Sequence, residues 1–98
     1  MPAMLLRTRV KADKAAEVEA AVKSLFVALE EARPEGIRYT SLRLADGVTY
    51  EVLLQIEEGV ENPLPKVPEF LRFQENLKGW LAEPPTPEQA TVIGDYQA

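Results

Sequence analysis

The sequence predicts an α+β domain with the element order β-α-β-β-α-β. Three observations carry this reading: a hairpin-like pair of runs from Ile37 to Ile56 turning at Asp46-Gly47, an amphipathic helical pattern on each side of it, and a strand-like segment toward each end of the chain. At 98 residues the chain is read as a single domain, 1–98, long enough to bury roughly 60–65% of its unfolded surface around one core.

At the start, Met4, Leu6, Thr8 and Val10 alternate with Leu5, Arg7, Arg9 and Lys11, the period-two pattern of a strand with one apolar and one largely charged face. From about Asp13, which suits an N-cap, Val18, Val22, Leu25, Phe26 and Leu29 recur at helical spacing, with Glu17, Lys23, Glu30 and Glu31 away from that stripe. The helix is expected to stop near Arg33, because Pro34 disfavours helical geometry before it and Gly36 suits a left-handed turn.

With Asp46 and Gly47 as the central residues of a type I′ turn, opposed hairpin residues sum to 93. Arg43 then faces Tyr50, Ser41 faces Val52, Tyr39 faces Leu54 and Ile37 faces Ile56; the other face pairs Leu44 with Thr49, Leu42 with Glu51, Thr40 with Leu53 and Arg38 with Gln55. A proline-punctuated connection, Asn62 to Pro68, follows, with Pro68 suited to the first turn of a second helix. Phe70, Phe73, Leu77, Trp80 and Leu81 make that helix's apolar stripe, which ends at Pro84-Pro85. Alternation from Gln89 to Tyr96 predicts the fourth strand.

Right-handed crossovers place these elements in a ferredoxin-like fold: a four-stranded antiparallel sheet in the order 4-1-3-2 with both helices on one face. The helix-facing side carries Leu6, Val10, Ile37, Tyr39, Val52, Leu54, Ile56 and Val92. The opposite side exposes Leu5, Leu42, Leu44, Leu53 and Ile93 together, a larger apolar patch than soluble monomers usually show. A homodimer stacked by that face would cover it, with Arg7 and Arg9 positioned to meet Glu51 and Asp95. The expected dimer interface is therefore Leu5, Arg7, Arg9, Leu42, Leu44, Glu51, Leu53, Ile93 and Asp95.

Composition narrows the chemistry. The net charge of −5, with Lys and Arg spread along the chain, argues against nucleic acid or an anionic membrane surface as partner. There is no cysteine, so disulfides, thiol nucleophiles and Cys-based zinc sites are excluded. There is no histidine, which removes proximal-His haem, Ser-His-Asp catalysis and two-His-one-carboxylate iron. No metal or cofactor is expected, and without a signal h-region or membrane span the expected location is cytoplasmic. The acids Glu57, Glu58 and Glu61 lack calcium-loop spacing.

The element order, the segment Arg33-Pro34-Glu35-Gly36-Ile37-Arg38-Tyr39 and the helix segment Phe70-Leu71-Arg72-Phe73-Gln74 resemble the dimeric α/β-barrel superfamily that includes antibiotic-biosynthesis monooxygenase domains. That resemblance implies a homodimer whose ligand site, where there is one, lies between helices and sheet. Members include cofactor-independent monooxygenases of aromatic polyketides or quinols, haem-degrading enzymes that use a helix histidine missing here, and many proteins of unknown activity. The monooxygenases use Asn, Trp, Tyr and Arg; the asparagines here are Asn62, in the proline-rich connection, and Asn76, on the polar side of the second helix.

An oxygenase of this kind deprotonates a bound phenol or enol, and the electron-rich anion reduces oxygen in an apolar pocket furnished with a few donors. The candidate ligand residues are Tyr39, Arg43 and Tyr50 on the hairpin and Phe70, Phe73, Gln74 and Trp80 from the second helix. Arg43 would stabilise the oxyanion, Tyr39 or Tyr50 would orient it, and Trp80 would stack on the ring. Each also has a plainer reading: Phe70, Phe73 and Trp80 as core, the tyrosines as favoured strand residues, and Arg43 as a solvated rim. No carboxylate is expected in an apolar pocket, so no general base is assigned. Three functions fit: a dimer binding a small aromatic or apolar ligand, a cofactor-independent monooxygenase acting on a quinol or polyketide-like substrate, and a non-catalytic structural or partner-binding homodimer.

Overall fold

The structure is a computed structural model and describes residues 2–96 and 98. Strand β1 (Pro2–Arg9) leads through a short 3-10 turn, Ala12–Lys14, into helix α1 (Ala15–Ala32); β2 (Ile37–Arg43) and β3 (Thr49–Ile56) form the hairpin. A second 3-10 turn, Leu64–Lys66, precedes helix α2 (Pro68–Lys78), and β4 (Thr86–Thr91) closes the chain's regular structure. The antiparallel sheet runs β2-β3-β1-β4, the 4-1-3-2 order that crossover handedness predicts.

The hairpin has the expected register, from Ile37 opposite Ile56 to Arg43 opposite Tyr50. Its turn differs. A type I′ turn needs positive φ at Asp46, whereas Arg33 is the non-glycine residue with positive φ among those described. Residues 45–48 instead make a wider loop, in which Gly47 N–H donates to Leu44 O (3.0 Å) with Gly47 at φ 77°. Asp46 organises it by accepting from the amides of Val48 (2.9 Å) and Thr49 (2.8 Å) and from the Thr49 hydroxyl (2.6 Å). The Thr49 hydroxyl, then the two amides, hold the Asp46 carboxyl below the usual carboxylate range. The loop is longer by one residue on each side, so the pairing sum is conserved.

Both helix starts lack a side-chain cap, and Asp13 sits inside the 3-10 turn rather than capping α1. At the C-terminus of α1, Arg33 takes the left-handed conformation (φ 48°) and donates its N–H to Leu29 O (2.8 Å). Gly36 is also left-handed (φ 81°), and a Cβ there would come within 2.7 Å of Val60 Cγ1. Gly36→Ala should therefore lower stability by about 1–3 kcal/mol, read as a shifted urea midpoint at unchanged slope.

The core lies between the sheet and the helices. Val18, Leu25 and Ala28 are the buried positions of α1, and Val10, Val18 and Tyr50 form a cluster against which Val22, Leu77 and Trp80 pack. The proline-rich connection contributes more than spacing. Leu64 and Val67 are buried in it, and the Asn62 carboxamide oxygen accepts the Leu64 N–H (3.0 Å). Pro68 opens α2 as expected, but the helix ends at Lys78, where Gly79 and Trp80 close the turn onto Asn76 and Leu77 carbonyls. Trp80 and Leu81 therefore leave the helical stripe, and Leu81 bridges to Val10.

That return to the end of β1 relocates the fourth strand. Ala82 N–H already donates to Arg9 O, so β4 runs back along β1 from Thr86 opposite Arg7 to Thr91 opposite Pro2. The expected strand Gln89 to Tyr96 is thus corrected to Thr86–Thr91, and Val92 does not join the helix-facing row. Pro87 is accommodated because β4 is an edge strand. Beyond it, Asp95 pairs with Arg38 on β2, the opposite edge, which carries residues 92–95 across the row Ala90–Ala3–Gln55–Arg38 on the side away from the helices. Ala3 and Gln55 in that row are buried, at 9% and 7% exposure. Ile93 and Asp95 consequently belong to a crossing segment, not to a sheet strand. Glu51 pairs with Arg7 of its own chain (2.9 Å), a cross-strand neighbour, so both acids expected to meet Arg7 and Arg9 of a second copy already have intrachain partners.

Candidate functional site

Strand alternation brings Met4, Leu6, Thr8 and Val10 of β1 to the helix side, beside Tyr39 and Ser41 of β2 and Tyr50 and Val52 of β3. Val18 and Val22 of α1 and Phe70, Phe73, Gln74 and Leu77 of α2 face them, and Asn62 and Pro65 close one wall. Together these residues enclose a cavity of about 290 Å³. None of the lining residues bears a carboxylate, ammonium or guanidinium group; the polar atoms are those of Thr8, Ser41, Asn62, Gln74 and the two tyrosines.

Tyr39 is set by aromatic packing from both helices. Its ring centroid lies 5.6 Å from that of Phe26 on α1 and 6.3 Å from Phe70 on α2, the latter edge-on at 82°. Burial between these rings pushes the Tyr39 hydroxyl up to about 12, so it remains protonated at neutral pH.

Tyr50, 7% exposed, lies on the wall shared with an outer groove that also contains Glu19, Lys23 and Arg43. Its hydroxyl donates to Glu19 Oε2 (3.3 Å), and Arg43 Nη1 donates to that same oxygen (2.8 Å). The Arg43 hydrogen bond holds the Glu19 carboxyl below its ordinary value, while burial and then the Glu19 charge raise the Tyr50 hydroxyl. Glu19 is therefore ionised and Tyr50 neutral near pH 7.

Of the residues predicted for a ligand site, Tyr39, Tyr50, Phe70, Phe73 and Gln74 line this one cavity. Arg43 does not; it stands in the outer groove with its guanidinium on Glu19. Trp80 packs behind the wall against the Val10–Val18–Tyr50 cluster. Asn76 lies in a separate surface groove with Arg72 and Phe73. Thr8 and Ser41 were legible as polar residues in an apolar alternating row, whereas Asn62 and Glu19 carried no local signal. Asn62 depends on the path of an irregular connection, and Glu19 on the side of α1 that β2 and β3 approach.

Among the described residues, no cluster of three or more His, Cys, Asp or Glu side chains could hold a metal ion. Among the same residues, no helix is long and apolar enough to cross a membrane.

No protein-family model matches the sequence, and no curated protein matches it. Solved structures do match. A Nitrosomonas europaea protein named provisionally as an antibiotic biosynthesis monooxygenase superposes with TM-score 0.78 at 17% identity, covering 96% of this chain and 100% of that one. Rv0793 from Mycobacterium tuberculosis gives TM-score 0.73 at 16% identity, covering 98% of each chain. SnoaB, a cofactor-independent oxygenase from Streptomyces nogalater, gives 0.70 at 20% identity in an asparagine-to-alanine variant, covering 96% of this chain and 94% of that one. The two helices on one face of a 4-1-3-2 sheet thus give this chain the fold shared with the solved antibiotic biosynthesis monooxygenase-like structures.

Proposed function

We propose that the protein is a homodimeric domain that binds a small, neutral aromatic or apolar ligand between its helices and sheet. The observation that carries this reading is the cavity of about 290 Å³ with an aromatic and aliphatic lining and no charged group. An apolar cavity of about 150 Å³ already admits benzene, so this one suits a molecule of one or two rings. The dimer follows from the face away from the helices, where Leu5 and Leu53 stand opposite each other and Leu42 is 51% exposed. Native mass spectrometry of the freshly purified protein should show a dimer. Calorimetric titration with naphthalene should show saturable binding at one site per subunit. A protein that binds no one- or two-ring aromatic would sink the ligand reading, and a monomer would sink the dimer.

Oxygenase chemistry is a second reading, favoured by Asn62. Its carboxamide oxygen is engaged by the Leu64 N–H, which leaves the amide nitrogen as a donor on the wall of an uncharged cavity. A donor there stabilises negative charge developing on a bound quinol oxygen, and the resemblance in fold to SnoaB supports the reaction class. Oxygen uptake with a naphthoquinol should exceed the protein-free rate, and Asn62→Ala should reduce that excess about 100-fold. Uptake equal to autoxidation leaves the binding reading alone.

A further inference from the structure

The Tyr50 hydroxyl has one proton, and that proton is given to Glu19. Whatever polar atom of a ligand reaches the Tyr50 oxygen from the cavity therefore meets an acceptor. Arg43 reaches across from β2 to the same carboxylate oxygen, so two donors orient Glu19 toward Tyr50. We propose that Glu19 is a positioning residue that sets the cavity's selectivity: by engaging the Tyr50 proton it makes Tyr50 an acceptor, so the site favours neutral ligands that present an O–H or N–H over those presenting only a carbonyl or ether oxygen.

This inference rests on the ligand-binding reading of the cavity and adds a direction to its polarity. The neutral lining supplies the other half of the selectivity, because an anionic ligand would find no cation inside and would meet the Glu19 charge behind Tyr50. The groups around Glu19 are Lys23 on its own helix, Arg43 on β2 and Tyr50 on β3, with Asp46 near Tyr50 from the hairpin loop. The Arg43–Glu19 pair is solvent-exposed on both sides, so its contribution is orientation more than stability.

The test is calorimetric titration with three probes of matched ring size: 1-naphthol, 1-methoxynaphthalene and naphthalene. Wild type should bind 1-naphthol about tenfold more tightly than the methyl ether, the fold-change of one hydrogen bond. Glu19→Ala frees the Tyr50 proton to turn toward the cavity, so the ratio should collapse toward one while naphthalene affinity stays within about twofold. Glu19→Gln, whose amide oxygen still accepts from Tyr50, should restore the preference, and Tyr50→Phe should abolish it. An unchanged naphthol-to-ether ratio in Glu19→Ala, with naphthalene still bound, overturns the role of Glu19 and leaves the cavity reading standing. Failure of wild type to bind naphthalene overturns the cavity reading itself. If Glu19→Ala loses its fold, Glu19→Gln and Tyr50→Phe decide: a preference retained in Tyr50→Phe overturns the proposal.

Discussion

Leu53→Asp should abolish the proposed dimer and leave a monomer, measured by light scattering on a sizing column. Leu53 occupies the inner strand β3, opposite Leu5 on β1 and Thr40 on β2, at the middle of the face the helices leave bare. Residues 92–95 cover one end of that face, and the Arg7–Glu51 pair stands beyond Leu53 toward the other. Between them Leu5, Leu42 and Leu53 form the apolar part that a second copy would bury. A carboxylate at position 53 would be desolvated in such an interface without a cation within the same row, and two-fold symmetry would introduce it twice. The penalty is several kcal/mol per ion, comparable with the whole association energy of a modest interface. Because the side chain points away from the helices, the subunit itself should keep its far-UV circular dichroism. A variant that remains dimeric would show that another surface joins the copies.

How much of this was legible beforehand follows from where each signal resides. The hairpin register was readable because period-two alternation fixes which residues face the helices and a symmetric change in loop length keeps every pair: Tyr39 still opposes Leu54, although Asp46 builds a side-chain-bonded loop instead of a type I′ turn. Five of the seven predicted ligand residues reach one cavity for the same reason. The fourth strand was misplaced because its apolar alternation, Ala90 to Tyr96, is a local pattern, whereas its pairing is decided by where the chain rejoins β1. Leu81 and Ala82 make that junction early, so β4 pairs along β1 over Thr86–Thr91 and residues 92–95 lie beyond the ladder. Ile93, 98% exposed, shows the result: a strand-like residue with no strand to join. Trp80 leaves the helix that its spacing predicts for a related reason: the spacing from Phe73 and Leu77 continues smoothly through Gly79 while the backbone does not. Glu19 has no signature in the sequence because a charged residue on an amphipathic helix is ordinarily solvated, and the approach of Tyr50 and Arg43 gives it partners.

Trp80→Ala should destabilise the fold by about 3 kcal/mol, the lower end of the range for removing a large aromatic from a core, since Trp80 is only partly buried. The packing of the side chain makes this site sensitive, and two main-chain hydrogen bonds, which alanine keeps, fix where it stands. The indole packs against the cluster of Val10, Val18 and Tyr50, of which the two valines are 2% exposed, so its loss opens a void behind the cavity wall. The Trp80 carbonyl accepts from Lys11 N–H (2.9 Å), and its N–H donates to Leu77 O (2.9 Å), so the residue joins the end of α2 to the segment between β1 and α1. In a domain of this length such a loss corresponds to a fall of roughly 12–24 °C in Tm, followed by circular dichroism. Ligand affinity should fall with it, because Tyr50 loses its backing. A stacking role on the ligand predicts a different pattern, lost affinity at unchanged Tm. The two readings of Trp80 are separated by measuring both quantities on one variant: core packing requires the melting temperature to move, whereas ring stacking requires only the affinity to do so.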